Sequence, residues 1–128
     1  MESEVKKNIK DVNKFLKEIK EIDNKFFIIL SRKIECEKNP FDFLGKLEYD
    51  INDLINEVKN LTYKDYLRCQ IDTKNKFKFM YSFIKMINKY IVYIKLSIME
   101  RNDKYVYVIS FHEALKDEMD LRPYKEGK

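Results

Sequence analysis

The stretch VYIKLSIMERNDKYVYVISFHEA, Val92 to Ala114, decides the fold: it alternates apolar and polar side chains on both sides of a short polar centre. Alternation with a period of two sends successive side chains to opposite faces, so the stretch reads as two antiparallel strands and a turn. The turn is RNDK, Arg101 to Lys104, centred on Asn102 and Asp103, residue types that tolerate turn geometry best after glycine. With those two at the loop centre, Leu96 faces Ile109, Ile94 faces Phe111 and Tyr93 faces His112. The apolar faces agree in this register and clash if it slips by one. Tyr93, Lys95 and Ser97 then share the side away from the apolar core with Ser110 and His112, the only histidine in the chain.

Upstream, Phe77, Phe79, Tyr81 and Phe83 fall on one face of a further strand, with Lys76, Lys78, Met80 and Ser82 on the other. These runs make an antiparallel sheet of which one face can stay open. The first part of the chain has a different period. Val5, Ile9, Val12, Leu16 and Ile19 recur at helical spacing, and KFFIIL then gives a short apolar strand from Phe26 to Leu30. Between Ser31 and Leu47 the chain reads as a short helix and a loop, with Ser31 as a possible cap and Pro40 and Gly45 as punctuation. Asp50 is a helix N-cap with Asp53 as its acidic partner, and Ile51, Leu54, Ile55, Val58 and Leu61 form the apolar stripe of a helix ending near Asn60.

The expected fold class is therefore α+β, with N-terminal helices packed on one face of a mainly antiparallel sheet. The 128 residues are expected to form one domain: 1–65 mostly helical with one strand, 66–112 antiparallel strands, and 113–128 a short tail, with a terminal helical turn in HEALKDEMDL and a frayed RPYKEGK, Arg122 to Lys128.

Composition narrows the function. Two glycines leave no material for a Gly-rich phosphate loop, so nucleotide cofactors are not expected. Cys36 and Cys69 are far apart in sequence and no second histidine completes a zinc set, so no metal site and no cofactor is expected. The N-terminal MESEVKKNIKDVNKF lacks an apolar signal core, and no apolar run approaches the roughly 20 residues of a membrane span. A cytoplasmic protein with free thiols and no membrane partner is the expectation.

The net charge is +4, but it is unevenly spread. From Arg68 to Lys95, Arg68, Lys74, Lys76, Lys78, Lys85, Lys89 and Lys95 face Asp72 alone, a local +6 interleaved with aromatic rings. Cations for phosphates and rings for bases are what a polyanion site needs. Lysines that merely solvate strand faces are the other reading of the same residues.

RNA carries its own nucleophile, the ribose 2′-hydroxyl. An enzyme that cuts it by internal transfer needs a base, an acid and cations for the charge that grows on phosphate. His112, Tyr93, Lys95 and Arg68 supply those types, and directly paired strand residues have Cβ atoms about 5 Å apart. Histidine, with an ordinary pKa of about 6.5, is the natural acid or base. A lone histidine at a strand end and a half-buried sheet tyrosine are also ordinary structural residues.

The succession of a helix with L-T-x-x-D-Y (Leu61 to Tyr66), a strand V-Y-I-K-L (Val92 to Leu96) and a strand I-S-F followed by His112 resembles the MqsR-like family, the motility quorum-sensing regulators, toxins of type II toxin–antitoxin systems. The resemblance runs from about Ile9 to Ala114. It implies a RelE-like fold and a metal-independent endoribonuclease that cleaves mRNA, with or without the ribosome, and is neutralised by a cognate antitoxin protein. It carries the family's active-site lysine onto Arg68, its tyrosine onto Tyr93 and its final basic residue onto His112. On this reading Lys74, Lys76, Lys78 and Tyr81 contact the RNA, and Lys95 joins the catalytic set.

The chain departs from the pattern in three places, one of them a tail beyond Ala114 longer than the family's usual end. Met80 stands on or near the family's glutamine, leaving that role vacant or to Tyr81 or Lys78, and arginine at 68 keeps the charge but is a poor base. The second expectation follows from these departures: a small binding or inhibitor protein, phage-borne or regulatory, that keeps the fold and blocks a protein or RNA partner without chemistry.

Overall fold

The computed structural model describes residues 2–30, 40–72 and 78–127. It is α+β, a six-stranded sheet in the order β1-β3-β4-β5-β6-β2 with four helices. The strands are β1 (Glu2–Val5), β2 (Phe27–Ile29), β3 (Tyr66–Asp72), β4 (Phe79–Ile87), β5 (Tyr90–Arg101) and β6 (Asp103–Glu113). All neighbours are antiparallel except β2, which runs parallel to β6 at one edge.

Helix α1 (Ile9–Glu21) starts at a capping box: the Asp11 N–H donates to Asn8 Oδ1 at 2.8 Å, and the Asn8 N–H donates to Asp11 Oδ2 at 3.2 Å. Its stripe of Val12, Phe15, Leu16 and Ile19 is buried. Val5, which shares the same spacing, is not part of it. It lies in β1, opposite Cys69 of β3. ESEV is too short and too polar for its alternation to register, and only pairing with β3 makes it a strand.

Helix α2 (Pro40–Leu47) contains both residues that read as punctuation. Proline suits the first turn, where no N–H is needed, and Gly45 is an exposed position inside the helix. Helix α3 (Ile51–Lys59) has the expected Asp50–Asp53 capping box, with C-cap Asn60. Residues 31–39, including Cys36 and the Ser31 cap, lie outside the described residues.

The first three helices cover one face of the sheet. Leu16, Ile19, Phe43, Leu47, Leu54 and Val58 pack against Phe83, Ile94, Leu96, Val106, Val108 and Phe111 in one core. The hairpin departs from uniform register at a single point. Tyr93↔His112, Ile94↔Phe111 and Lys95↔Ser110 pair as expected, but Leu96 pairs with Val108, not Ile109, across a β-bulge. The cause is legible in VYVISF: the core positions Val106, Val108 and Phe111 are separated by two and then three residues, a step that only an extra residue in the strand accommodates. Ile109 turns to the other face and packs with Met80, joined by Tyr107 and Met99. At the turn, Asn102 takes φ 69°, the left-handed region asparagine tolerates.

The tail is not frayed. After α4 (Lys116–Met119), Arg122 Nε donates to the Met119 carbonyl at 2.8 Å, and its Nη1 lies 3.8 Å from Asp65 Oδ1. The Tyr124 hydroxyl donates to the Lys7 carbonyl at 2.7 Å, and its ring stacks on Tyr66. Contacts between residues 58 and 117 positions apart leave no local signature.

Candidate functional site

The face of the sheet away from α1–α3 carries a polar row across four strands. Arg68 of β3 pairs with Ser82 of β4, Ser82 with Lys95 of β5, and Lys95 with Ser110 of β6. Residues directly paired across strands point to the same side, so a guanidinium, an ammonium and two hydroxyls share one surface about 14 Å wide, three strand spacings. Arg68 reaches this face because β3 has a bulge between Tyr66 and Arg68.

One row along, Ile84, Tyr93 and His112 are partners. The Tyr93 and His112 rings stack with centroids 5.2 Å apart and planes 15° apart. The Tyr93 hydroxyl is 2.9 Å from Ser82 Oγ, which draws the phenol oxygen into the Arg68–Lys95 row. His112 Nδ1 is 3.0 Å from the Glu113 carbonyl oxygen. A carbonyl only accepts, so this bond is made by the form that carries a proton on Nδ1, and in the neutral ring that leaves the Nε2 lone pair free as a base.

Access differs among these groups. Tyr93 is only 9% exposed, packed with Leu67 and Ile84 under Ala114 and Met119, and Ser82 is fully buried. Arg68, Lys95, Ser110 and His112 are half-buried. A ligand on this face therefore meets the imidazole and the two cations directly, and meets Tyr93 chiefly through its hydrogen bond and its stack.

The structure separates other expected site residues from this group. Tyr81 is one residue from Ser82 and so faces the helices. It is 7% exposed and stacked on Phe15 at 3.8 Å, and burial lifts its phenol far above the usual range. Its ring offers no face to a base. Lys78 is exposed at the start of β4, its Nζ 5.8 Å from the Phe79 centroid, at a groove beside α1 and not beside Lys95. Lys85 is held on the helical side by Glu57 at 3.1 Å. Lys74 and Lys76 lie outside the described residues. The local +6 thus resolves into two cations on the open face, with the others that are described placed elsewhere.

Sequence reasoning missed Gln70. It pairs with Met80 across β3–β4, one step along from the Arg68–Ser82 pair, and places a half-buried carboxamide on the open face. The alternation of Arg68, Cys69 and Gln70 contained that signal: Cys69 is fully buried in the helical-side core, so its neighbours face the other way. Among the described residues no group of three or more His, Cys, Asp or Glu side chains could hold a metal ion, and no described helix is long and apolar enough to cross a membrane. Comparison with protein-family models, with curated proteins and with solved structures returns no match.

Proposed function

We propose that the chain is a metal-independent endoribonuclease acting on mRNA, a cytoplasmic toxin of the MqsR-like, RelE-like kind whose partner is a cognate antitoxin. The observation that carries the proposal is the His112 imidazole stacked on Tyr93 beside the Arg68–Ser82–Lys95–Ser110 row. In this chemistry His112 Nε2 takes the proton of a ribose 2′-hydroxyl. The 2′ oxygen forms a bond to phosphorus as the bond to the 5′ oxygen breaks, and the leaving oxygen takes a proton from solvent. Arg68 and Lys95 offset the charge that builds on the phosphate oxygens. Tyr93, hydrogen-bonded to Ser82, holds the imidazole plane. Gln70 offers the carboxamide that Met80 lacks.

The test is labelled RNA incubated with the purified chain in excess chelator, with and without ribosomes. Cleavage to 2′,3′-cyclic phosphate and 5′-hydroxyl ends is expected, and a 2′-deoxyribose at the cut site should block it. No cleavage of any RNA by folded protein rejects the enzyme. One observation favours the second reading, a binding protein without chemistry: Tyr93 is nearly covered and its hydroxyl is engaged by Ser82. That reading predicts RNA or protein binding on the same face that survives His112→Ala unchanged.

A further inference from the structure

On the opposite face, between α1 and the ends of β4, β5 and β6, lies an open groove of 520 Å³, a size in the range of small-ligand sites. Its lining is sorted along its length. At one end Lys7 and Lys78 converge, Lys14 lies further along α1, and none of the three has an ion-pair partner among the described residues. Lys7 Nζ lies 4.5 Å from the Phe79 centroid and Lys78 Nζ lies 5.8 Å from it, so two ammonium groups gather on one ring. The acid at this end, Asp11, already accepts the Asn8 N–H of the helix cap. At the other end Lys104 is closed onto Glu18 at 2.7 Å, and Glu100 stands beside them. The apolar floor is Phe79 and Ile98, both half-buried.

Two cations gathered on one ring, with Asp11 the one acid at their end, repel one another, and a further anion relieves that repulsion. An apolar floor and an acceptor at the far end ask for more than an anion. Asp11 and Glu18 are two helical turns apart, about 10 Å, which suits a ligand with a phosphate at one end and a flat donor-bearing ring at the other.

We infer that this groove binds a nucleotide, with its phosphate at Lys7 and Lys78 over Phe79, its base along Ile98, and an exocyclic amine donating to Glu100. A free nucleotide and the 5′-phosphorylated end of an RNA strand present the same chemistry. The site is on the far side of the sheet from His112, and the inference does not depend on cleavage.

The experiment titrates the 15N-labelled full chain, separately, with AMP, inorganic phosphate, adenosine and a 5′-phosphorylated diadenylate, following backbone amide shifts. AMP or the diadenylate should move amides in α1 and near Ile98 to Lys104, and should bind more tightly than phosphate or adenosine. Binding by both nucleotide probes, or by the diadenylate alone, supports the site and tells whether free nucleotide or a strand end is the source. Lys7→Gln and Lys78→Gln should each weaken nucleotide binding about tenfold, the worth of one charge-assisted contact, with circular dichroism confirming the fold. Glu100→Gln should weaken AMP and leave phosphate unchanged. Phosphate binding as tightly as AMP, shifts confined to the His112 face, or no shifts at all would each overturn the inference.

Discussion

The His112 imidazole reaches solvent while the Tyr93 ring beneath it is nearly covered, and this difference sets what each substitution should do. His112→Ala removes the base and should lower RNA cleavage by a factor of about 10² to 10⁴, the usual worth of a general acid–base group. Tyr93→Phe keeps the stack and loses only the contact with Ser82, so its loss should be smaller, about tenfold for one hydrogen bond. Initial-rate cleavage assays on both variants check the order; equal and complete loss would make Tyr93 a proton-transfer group in its own right. Cys69 gives a second test at this scale. Burial pushes its thiol from the usual 9.0 up to about 11, and the side chain is fully buried. In a Cys36→Ser background the thiol should ignore a disulfide reagent at pH 8 and react at once in denaturant. Modification of the native protein would show that β3 opens.

The bulge in β6 is the element on which the site depends. Without the bulge, with Ile109 paired in line, register carried uniformly from Tyr93↔His112 would turn Tyr105 and Tyr107 towards the helices and expel Val106 and Val108, which are fully buried. Ile109→Ala leaves the bulge in place and removes a side chain that is 3% exposed, so it should cost about 2–5 kcal/mol in urea unfolding. Deleting Ile109 should remove the bulge and pair Ser110 and Val108 in succession with Lys95 and Leu96, so Val106, Val108 and Phe111 stay inside and the loss should not exceed that of Ile109→Ala. Helix α3 shows the opposite case, an element specified locally: Asp50→Ala removes the acceptor for the Asp53 N–H at 2.8 Å and should cost about 1 kcal/mol by the same measurement. Both capping boxes and both helical stripes could be read directly from sequence, because cap and stripe lie within a few residues of one another.

For the whole molecule, three tyrosines tie stability to pH. The hydrogen bond to Glu57, aided by burial, raises Tyr49 from 10.0 to about 12, and burial raises Tyr66 and Tyr81 further in the same direction. An acid whose folded pKa is raised contributes stability that is intact below its unfolded pKa and is lost as pH rises towards the folded one. The fold should therefore hold from neutrality to about pH 10 and weaken steadily above it. Tyr49→Phe should flatten part of that decline. Urea midpoints at pH 8, 10 and 11 check both statements, and a wild-type midpoint unchanged up to pH 11 would contradict them.

Periodicity, caps and turn residues act over a few positions, and through them the sequence by itself determined the α+β class, α1 and α3, the apolar face of β5 and the pairing of Tyr93 with His112. Four things were decided only in three dimensions. Pairing with β3 makes ESEV a strand, and the space under α1 takes Tyr81 away from the open face. The match of a two-then-three spacing to one core places the bulge, and contacts with Lys7, Asp65 and Tyr66 order the tail. In each case the deciding partner is remote in sequence. Charge is the clearest instance: a run of cations between Arg68 and Lys95 looks like one surface, but strand alternation and distant partners divide it, leaving Arg68 and Lys95 beside His112, Lys85 with Glu57 and Lys78 by the α1 groove.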